Sequence, residues 1–452
     1  MAHTEKTDIL IIGGSAAGIA TGVTARAHHE DAQITLVRRE RQVLVPCGIP
    51  YILGTIGSPD KNLIPDALLS KNNIELLVEE VTSIDRNKRS VLTSSGSTIE
   101  YERLVLATGS SPIVPKIPGI DLENVFFARK DFEYLKKLSD ALKDAAHVLV
   151  IGGGFVGMEF ADEFRKRGLD VTIVEMLPHC LELAYDEEFC VLAEKRLSER
   201  GVKTRVNGRV EAILGDEKVQ KVRLSTGEEL TADLVLVAIG VAPNTELAEQ
   251  AGLRLGHQRA VWVDQYMRTS DKTIFAVGDC AEKTSFFTRQ PVAFRLASVA
   301  AREGSIAGAN LFQLRRRNEG TIGTFSTTIG DHAMCAAGLT EKAARDAMYE
   351  PIVGIAMGPD KHPASMPKTT EMKVKLVFDK ATGELLGGQV CCGPTSGEVA
   401  NILAAMIQKR MTMEEIATFQ MGTHPALTGS PITYQIANAA EDAAVRRSSK
   451  AT

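Results

Sequence analysis

Within ten residues of Cys47 on either side the chain has no second cysteine, which excludes a local dithiol. The seven cysteines are an odd, scattered set with neither the pattern of a disulfide framework nor zinc-ligand spacing. No apolar run reaches the roughly 18 residues that a spanning helix needs. No long basic run is present and the net charge is -5, which speaks against nucleic acid as a partner. Internal repeats with periods of roughly 20–50 residues and low-complexity tracts are also missing. Residues 1–7 are short and polar and run straight into an apolar stretch, unlike a signal peptide or a membrane anchor. The expectation is a cytoplasmic protein in a reducing compartment. The adjacent pair Cys391-Cys392, in an apolar stretch, reads as strand packing and not as a redox couple.

A chain of 452 residues is too long for one core, and two to four domains are expected. Residues 8–12 are continuously apolar, as in a strand buried on both faces. Gly13, Gly14, Ser15 and Gly18 follow, then an alanine-rich helix to about residue 27 and a strand at 34–37. Glycines in such a turn let the backbone approach a pyrophosphate, while the helix N-terminus offers N–H donors. Ser15 stands where a second glycine is usual, and Arg38 stands where a ribose-binding carboxylate is expected, with Glu40 two residues on. A second unit begins at residue 148 and carries all three glycines, Gly152, Gly154 and Gly157. Its second strand closes on Glu175, with no arginine after it to receive a 2′-phosphate, so NADH is expected over NADPH. Two such units imply two bound dinucleotides.

Ala107-Thr108-Gly109-Ser110, Gly240 to Asn244, and Gly278-Asp279 each end an apolar strand in small or polar residues. The first and third are places where the backbone would pass close to a ligand, and Asp279 could accept hydrogen bonds from a sugar-alcohol chain. From Thr321 the pattern becomes α+β, with strands at 372–378 and 385–390 and helices at 398–409 and 412–419. That segment, about 125 residues, is large enough to fold alone. Residues 444–452 are polar and expected to fray. The remaining feature is Pro46-Cys47-Gly48-Ile49-Pro50-Tyr51, where two prolines restrict the backbone around one thiol.

The order of these motifs resembles the pyridine nucleotide-disulfide oxidoreductases over almost the whole chain. The single cysteine resembles the branch that holds coenzyme A-disulfide reductases, persulfide and polysulfide reductases, NADH oxidases and NADH peroxidases. The resemblance implies an α/β fold with two Rossmann-like domains, the FAD domain split in sequence, and a C-terminal α+β dimerisation domain. The divisions expected are 1–112 and 243–322 for FAD, 113–242 for NAD and 323–452 for dimerisation. It implies that Gly13, Ser15, Gly18, Arg38, Ala107, Thr108, Gly109, Gly278 and Asp279 serve FAD, with Leu296 and Ala297 beneath the flavin. Gly152, Gly154, Gly157, Glu175 and Gly240 would serve NADH. Phe155 would gate the nicotinamide, and Glu159 would lie near flavin and nicotinamide or be a solvent-facing helix charge. A homodimer, or a pair of dimers, is implied, with no membrane or nucleic-acid partner.

The activity implied is reduction of a persulfide, polysulfide or coenzyme A-type disulfide by NADH through FAD and Cys47, coenzyme A being either substrate or a mixed disulfide on that cysteine. The alternative is an NADH oxidase producing peroxide or water. Five residues from Cys47 stand Gln42 and Ile52, so no resolving thiol occupies the spacing of the two-cysteine enzymes. Ala16 replaces the histidine of the oxidases and peroxidases. The two tyrosines of coenzyme A-disulfide reductases are missing from the stretches around His362-Pro363 and His424-Pro425. Arg26, Arg38, Arg39 and Arg41 could meet a coenzyme's phosphates or form a solvated edge. His424 resembles the histidine that protonates a leaving thiolate across the dimer in two-cysteine reductases, although Gly429 occupies the neighbourhood of its usual glutamate.

Overall fold

The computed structural model describes residues 4–393 and 396–449. They fall into two compact units, one of residues 1–116, 126–144 and 239–321, the other of residues 117–125, 145–238 and 322–452.

In the first unit the apolar run becomes the strand Thr4–Ile12 at the middle of a sheet. Parallel neighbours are Ile34–Arg38 on one side and Thr98–Leu106 on the other, with Glu75–Val78 outside Ile34–Arg38. Ile9, Leu10 and Ile11 are wholly buried, as a strand covered on both faces requires. The far edge of Thr98–Leu106 is shared. Its first half pairs antiparallel with Ser90–Thr93, and its second half pairs parallel with Ile274–Ala276. Helices Ala16–His28 and Ala297–Asn310 pack against one another. A methyl at Gly304 would lie 2.4 Å from the Ala17 carbonyl oxygen, so only glycine permits that approach.

The second unit repeats the arrangement with His147–Ile151, Asp170–Val174, Val202–Arg205 and Leu234–Val237, all parallel. Its C-terminal part is a five-stranded antiparallel sheet in the order Thr324–Ile329, His332–Gly338, Leu385–Cys392, Glu371–Asp379, Pro351–Pro359. Helices Ser396–Gln408 and Gln435–Ser449 contact strands of this sheet. The expectation of a frayed end is corrected: helix continues to Ser449, its inner face made of buried Ile436, Ala439, Ala440 and Ala443. Residues 450–452 lie outside the described residues. Among the described residues no helix is long and apolar enough to cross a membrane.

Candidate active site

The two glycine turns have the same geometry. Gly13 and Gly152 take φ of 115° and 108°, a region that disfavours side chains. A methyl at Gly18 would sit 1.9 Å from the Gly13 carbonyl oxygen, and one at Gly157 2.0 Å from that of Gly152. At Gly154, by contrast, a methyl would meet nothing within 4 Å. That explains Ser15 in the first turn: at φ -101° a serine is unstrained, and it makes no capping bond to its own helix. The cradle therefore stays open to a pyrophosphate in both units. Gly157→Ala is expected to weaken NADH binding roughly 10–100-fold by displacing its helix, while FAD stays bound. Titration of NADH against flavin absorbance checks this.

Further first-unit residues surround the split in the FAD-type domain. The Asp279 Oδ2 accepts from the Ser110 hydroxyl at 2.7 Å and from Lys130 Nζ at 3.4 Å. Thr108 donates to the Asn244 carbonyl at 2.7 Å, and the Asn244 amide donates back to the Thr108 carbonyl at 2.9 Å. Ser110–Pro112 and Val241–Pro243 pair as a short antiparallel seam beside them. Leu296, half-buried, precedes the helix that begins at Ala297, and Gly240 is exposed with φ 106°. Arg38 departs from the expectation of a cofactor contact. It is 3% exposed, and its guanidinium holds Asp66 in a bidentate pair at 2.7 and 2.9 Å while donating to the carbonyls of Glu40 and Arg41. Arg26 is likewise spent on the carbonyls of Glu30, Asn72 and Asn73, and Arg39 pairs with Glu40. The arginine edge is thus largely occupied within the protein.

Cys47 lies in the short turn Pro46–Gly48 and is exposed. Asn62, 5% exposed, fixes this turn and was not singled out by its sequence context. Its amide donates to the Val45 carbonyl at 3.0 Å, and the Val45 N–H donates to the Asn62 carbonyl at 2.8 Å. A methyl at Gly48 would lie 2.0 Å from Asn62 Oδ1, which gives the glycine after the cysteine a packing reason. Among the described residues Cys180, Cys190, Cys280 and Cys335 are buried. Cys391 is half-exposed on the interior strand Leu385–Cys392; the Cys392 side chain lies outside the described residues.

In the second unit Glu175 is 8% exposed. Its carboxylate accepts the Gly153 N–H at 2.6 Å and the Leu177 N–H at 2.8 Å, so it holds the glycine turn in shape. Phe155 stacks on Phe325 of the five-stranded sheet, centroids 5.1 Å apart. Glu159 is not a solvent-facing helix charge. It accepts from the Thr327 hydroxyl at 3.0 Å, and burial raises its pKa to about 7, the Thr327 bond opposing this and Glu163 adding to it. Between the ordinary value of 4.5 and about 7 the folded chain keeps a proton that the unfolded chain has lost. Stability therefore falls as pH rises through that window and levels off above it. Glu159→Gln is expected to remove the fall. Thermal melts from about pH 5 to pH 8 check it, and parallel curves for the two proteins would exclude it.

His424, exposed, accepts the Ala426 N–H on Nδ1 at 3.2 Å, which leaves the ring proton of the neutral form on Nε2. Its own N–H donates to the Thr428 hydroxyl at 3.0 Å. His362 Nδ1 lies 3.0 Å from the Thr428 carbonyl, and the His362 N–H donates to the Pro425 carbonyl at 3.1 Å. The two histidine-proline stretches thus form one loop cluster, a pairing their separation in sequence conceals.

A family model for pyridine nucleotide-disulphide oxidoreductases matches residues 7–304, and the dimerisation domain of the same family matches residues 324–433. The chain belongs to this family. It is an FAD- and NAD(P)H-dependent oxidoreductase of the disulfide and persulfide type with a single redox-active cysteine. It is similar to the NADH oxidase of Methanocaldococcus jannaschii, 32% identical over 98% of this chain and 99% of that one. Among solved structures it is similar to an NAD-dependent persulfide reductase from A. fulgidus, with TM-score 0.91, 32% identity, and coverage of 98% of this chain and 84% of that one. The water-forming NADH oxidase of Lactobacillus brevis bound to NADH gives TM-score 0.90 at 27% identity, covering 99% and 100%. The two Rossmann-like regions and the C-terminal dimerisation domain are those of the family, and they support FAD and NADH as its dinucleotides.

Proposed function

We propose that the chain is an NADH-dependent flavoenzyme that reduces a persulfide, polysulfide or coenzyme A-type disulfide through Cys47. The observation that carries this is an exposed thiol in a turn fixed by Asn62, with no second cysteine near it in sequence. Oxidation of such a thiol must join it to a substrate sulfur or to oxygen. FAD, when bound, supplies the passage of an electron pair from nicotinamide to sulfur. Gly13, Ser15, Gly18 and Gly109 would cradle it, and Asp279 would accept from its sugar-alcohol chain. Gly152, Gly154, Gly157 and Glu175 would hold NADH, the carboxylate repelling a 2′-phosphate.

The Cys47 thiolate attacks a sulfur of the substrate's S–S bond, and that bond breaks as the new one forms. The departing thiolate needs a proton. His424 of a second copy would supply it from Nε2 as the imidazolium, a form in which Nδ1 carries a proton too and the bond from the Ala426 N–H is given up. His424→Ala is expected to lower turnover roughly 100-fold and to remove the ionisation of that acid from the pH profile. Unchanged turnover with an unchanged profile would sink the role. The enzyme works as a homodimer or a pair of dimers.

A second reading, NADH oxidase, is favoured by the name of the M. jannaschii relative. The deciding measurement is anaerobic NADH consumption with coenzyme A persulfide, coenzyme A disulfide and polysulfide, set beside aerobic consumption without them. Turnover at least tenfold faster with a sulfur acceptor is expected; faster turnover with oxygen alone would establish the oxidase.

A further inference from the structure

Arg295 stands immediately before Leu296 and the helix Ala297–Asn310, and its guanidinium is poorly provided for. It is half-buried, and among the described residues its hydrogen-bond partner is Gln258, whose Oε1 accepts at 3.0 Å. Among the described residues no carboxylate lies close enough to pair with it. Burial holds its pKa below the ordinary value, and Asp279 pulls it back up. Asp279 is itself already shared with Ser110 and Lys130. Arg295 is therefore a cation taken partly out of water with no carboxylate to match it, an arrangement that costs stability.

The turn that supplies Gln258 is also unfavourable. Leu255 bridges Val261, and between them Gln258 and Arg259 take φ of 50° and 60°. Two successive residues in that region make the tight hairpin turn for which Asn-Gly is usual. Longer side chains are held there because the turn is fixed from outside: Glu282 accepts the His257 N–H at 2.6 Å, and Arg259 pairs with Glu249. Strain of this kind persists where the surroundings over-determine it, and it gathers at ligand sites. Its result here is one amide oxygen aimed at Arg295. The space enclosed among Gln258, Lys283 and Arg295 is about 10 Å³, a single water at most. An anion that meets Arg295 must therefore come from its other side.

The packing of two helices shows what that side faces. A methyl at Gly304 would meet the Ala17 carbonyl and the Thr21 N–H, and one at Gly308 the Thr21 carbonyl and the Ala25 N–H. Four residues along one helix correspond to four along the other, so Ala16–His28 and Ala297–Asn310 run parallel. Gly304, eighth in its helix, lies level with Ile19, fourth in the other. The helix Ala297–Asn310 therefore starts one turn, roughly 6 Å, beyond the glycine turn that would hold a pyrophosphate. Arg295 lies further out again, beside Asp279, where the sugar-alcohol chain of bound FAD would lead into the flavin rings. A hydride brings two electrons and one proton, so the ring system it reduces gains one negative charge. We propose that Arg295, aimed by Gln258, offsets that charge and so raises the reduction potential of the bound flavin. The N-terminal N–H groups of its helix act in the same sense. The proposal rests on FAD occupying this site, and not on which sulfur compound meets Cys47.

The test uses the full-length flavin-loaded protein with no sulfur acceptor present. The parent is compared with Arg295→Gln, Arg295→Lys and Gln258→Gly. Midpoint potentials are read anaerobically against a reference dye, and FAD dissociation from the oxidised protein by released fluorescence. Arg295→Gln is expected to make two-electron reduction about tenfold less favourable, a shift of about 30 mV to more negative potential. Arg295→Lys should recover most of it. Gln258→Gly, which eases the turn, should fall between the two without lowering the melting temperature. FAD affinity should stay within about threefold of the parent throughout. A potential unmoved by Arg295→Gln, or moved as far by Arg295→Lys, overturns the proposal. So does a large loss of FAD affinity at an unmoved potential, which would assign the guanidinium to the pyrophosphate. A chain that takes up no FAD overturns this proposal and the reading of the flavin site together. If Cys47→Ser keeps full NADH–polysulfide turnover while Arg295→Gln still shifts the potential, the reading of Cys47 fails and this one stands.

Discussion

Cys47→Ser is expected to cut sulfur-dependent NADH consumption about a thousandfold or more, while flavin content and its reduction by NADH remain as in the parent. The reason is chemical separation of two half-reactions. A serine hydroxyl keeps the shape of the turn, because the fixing contacts run through Val45, Gly48 and Asn62 and not through the sulfur. It is not a nucleophile toward sulfur near neutral pH, and among the described residues the other cysteines are buried or lie in the second unit. Anaerobic stopped-flow at the flavin band reads the first half-reaction, and NADH loss with a sulfur acceptor reads the second. Parallel loss of both would show that the serine had damaged the cofactor site. Retention of both would remove Cys47 from the chemistry.

Lys283→Met is expected to destabilise the FAD-type unit by about 3–5 kcal/mol, a fall in midpoint temperature on the order of 10 °C. Lys283 is 4% exposed and Glu303 0%, and they meet at 2.9 Å. The lysine also donates to the carbonyls of Gly278 and Ala281, and Glu303 accepts the Gly278 N–H at 2.9 Å. Both sides of the turn that bears Asp279 are therefore held by one buried pair. Burial pushes the Glu303 carboxyl upward and the lysine pulls it back down. Removing the lysine leaves a carboxylate in the core with one oxygen already lacking a hydrogen-bond partner. Replacing both residues, as in Lys283→Met with Glu303→Leu, removes the stranded charge and should restore most of the stability. Differential scanning of the three proteins decides it; a single variant as stable as the parent would show the pair to be inert.

Much of this was legible in sequence because it depends on local rules. Continuous apolar strands, glycines at positions that reject a methyl, and a thiol between prolines each leave a mark within a few residues. Ser15 could be noted as an irregularity but not explained, since the open space at Gly154 is visible only in three dimensions. The pairing of Arg38 with Asp66 was not legible because the two are distant in sequence, and strand position alone cannot tell an inward from an outward guanidinium. Asn62 and Asn244 act through backbone bonds that any asparagine can make, so they carry no signature of their own. A cavity beside Cys391 has no local mark in the sequence, because its other wall is the helix Glu187–Glu199, far away along the chain.

The divided edge of the strand Thr98–Leu106 has a consequence in time. Its partner Ile274–Ala276 is made roughly 170 residues later, which at about 5–20 residues per second is a delay on the order of ten seconds or more during synthesis. Through that interval the second half of the strand presents unpaired backbone groups on a ribosome-bound chain. The turn at Gly278 and the Lys283–Glu303 pair arrive with the same late segment. A nascent chain thus has its first glycine turn long before the segment that bears Gly278 and Asp279. Aggregation during expression should therefore be most sensitive to whatever slows the segment from 239 to 310.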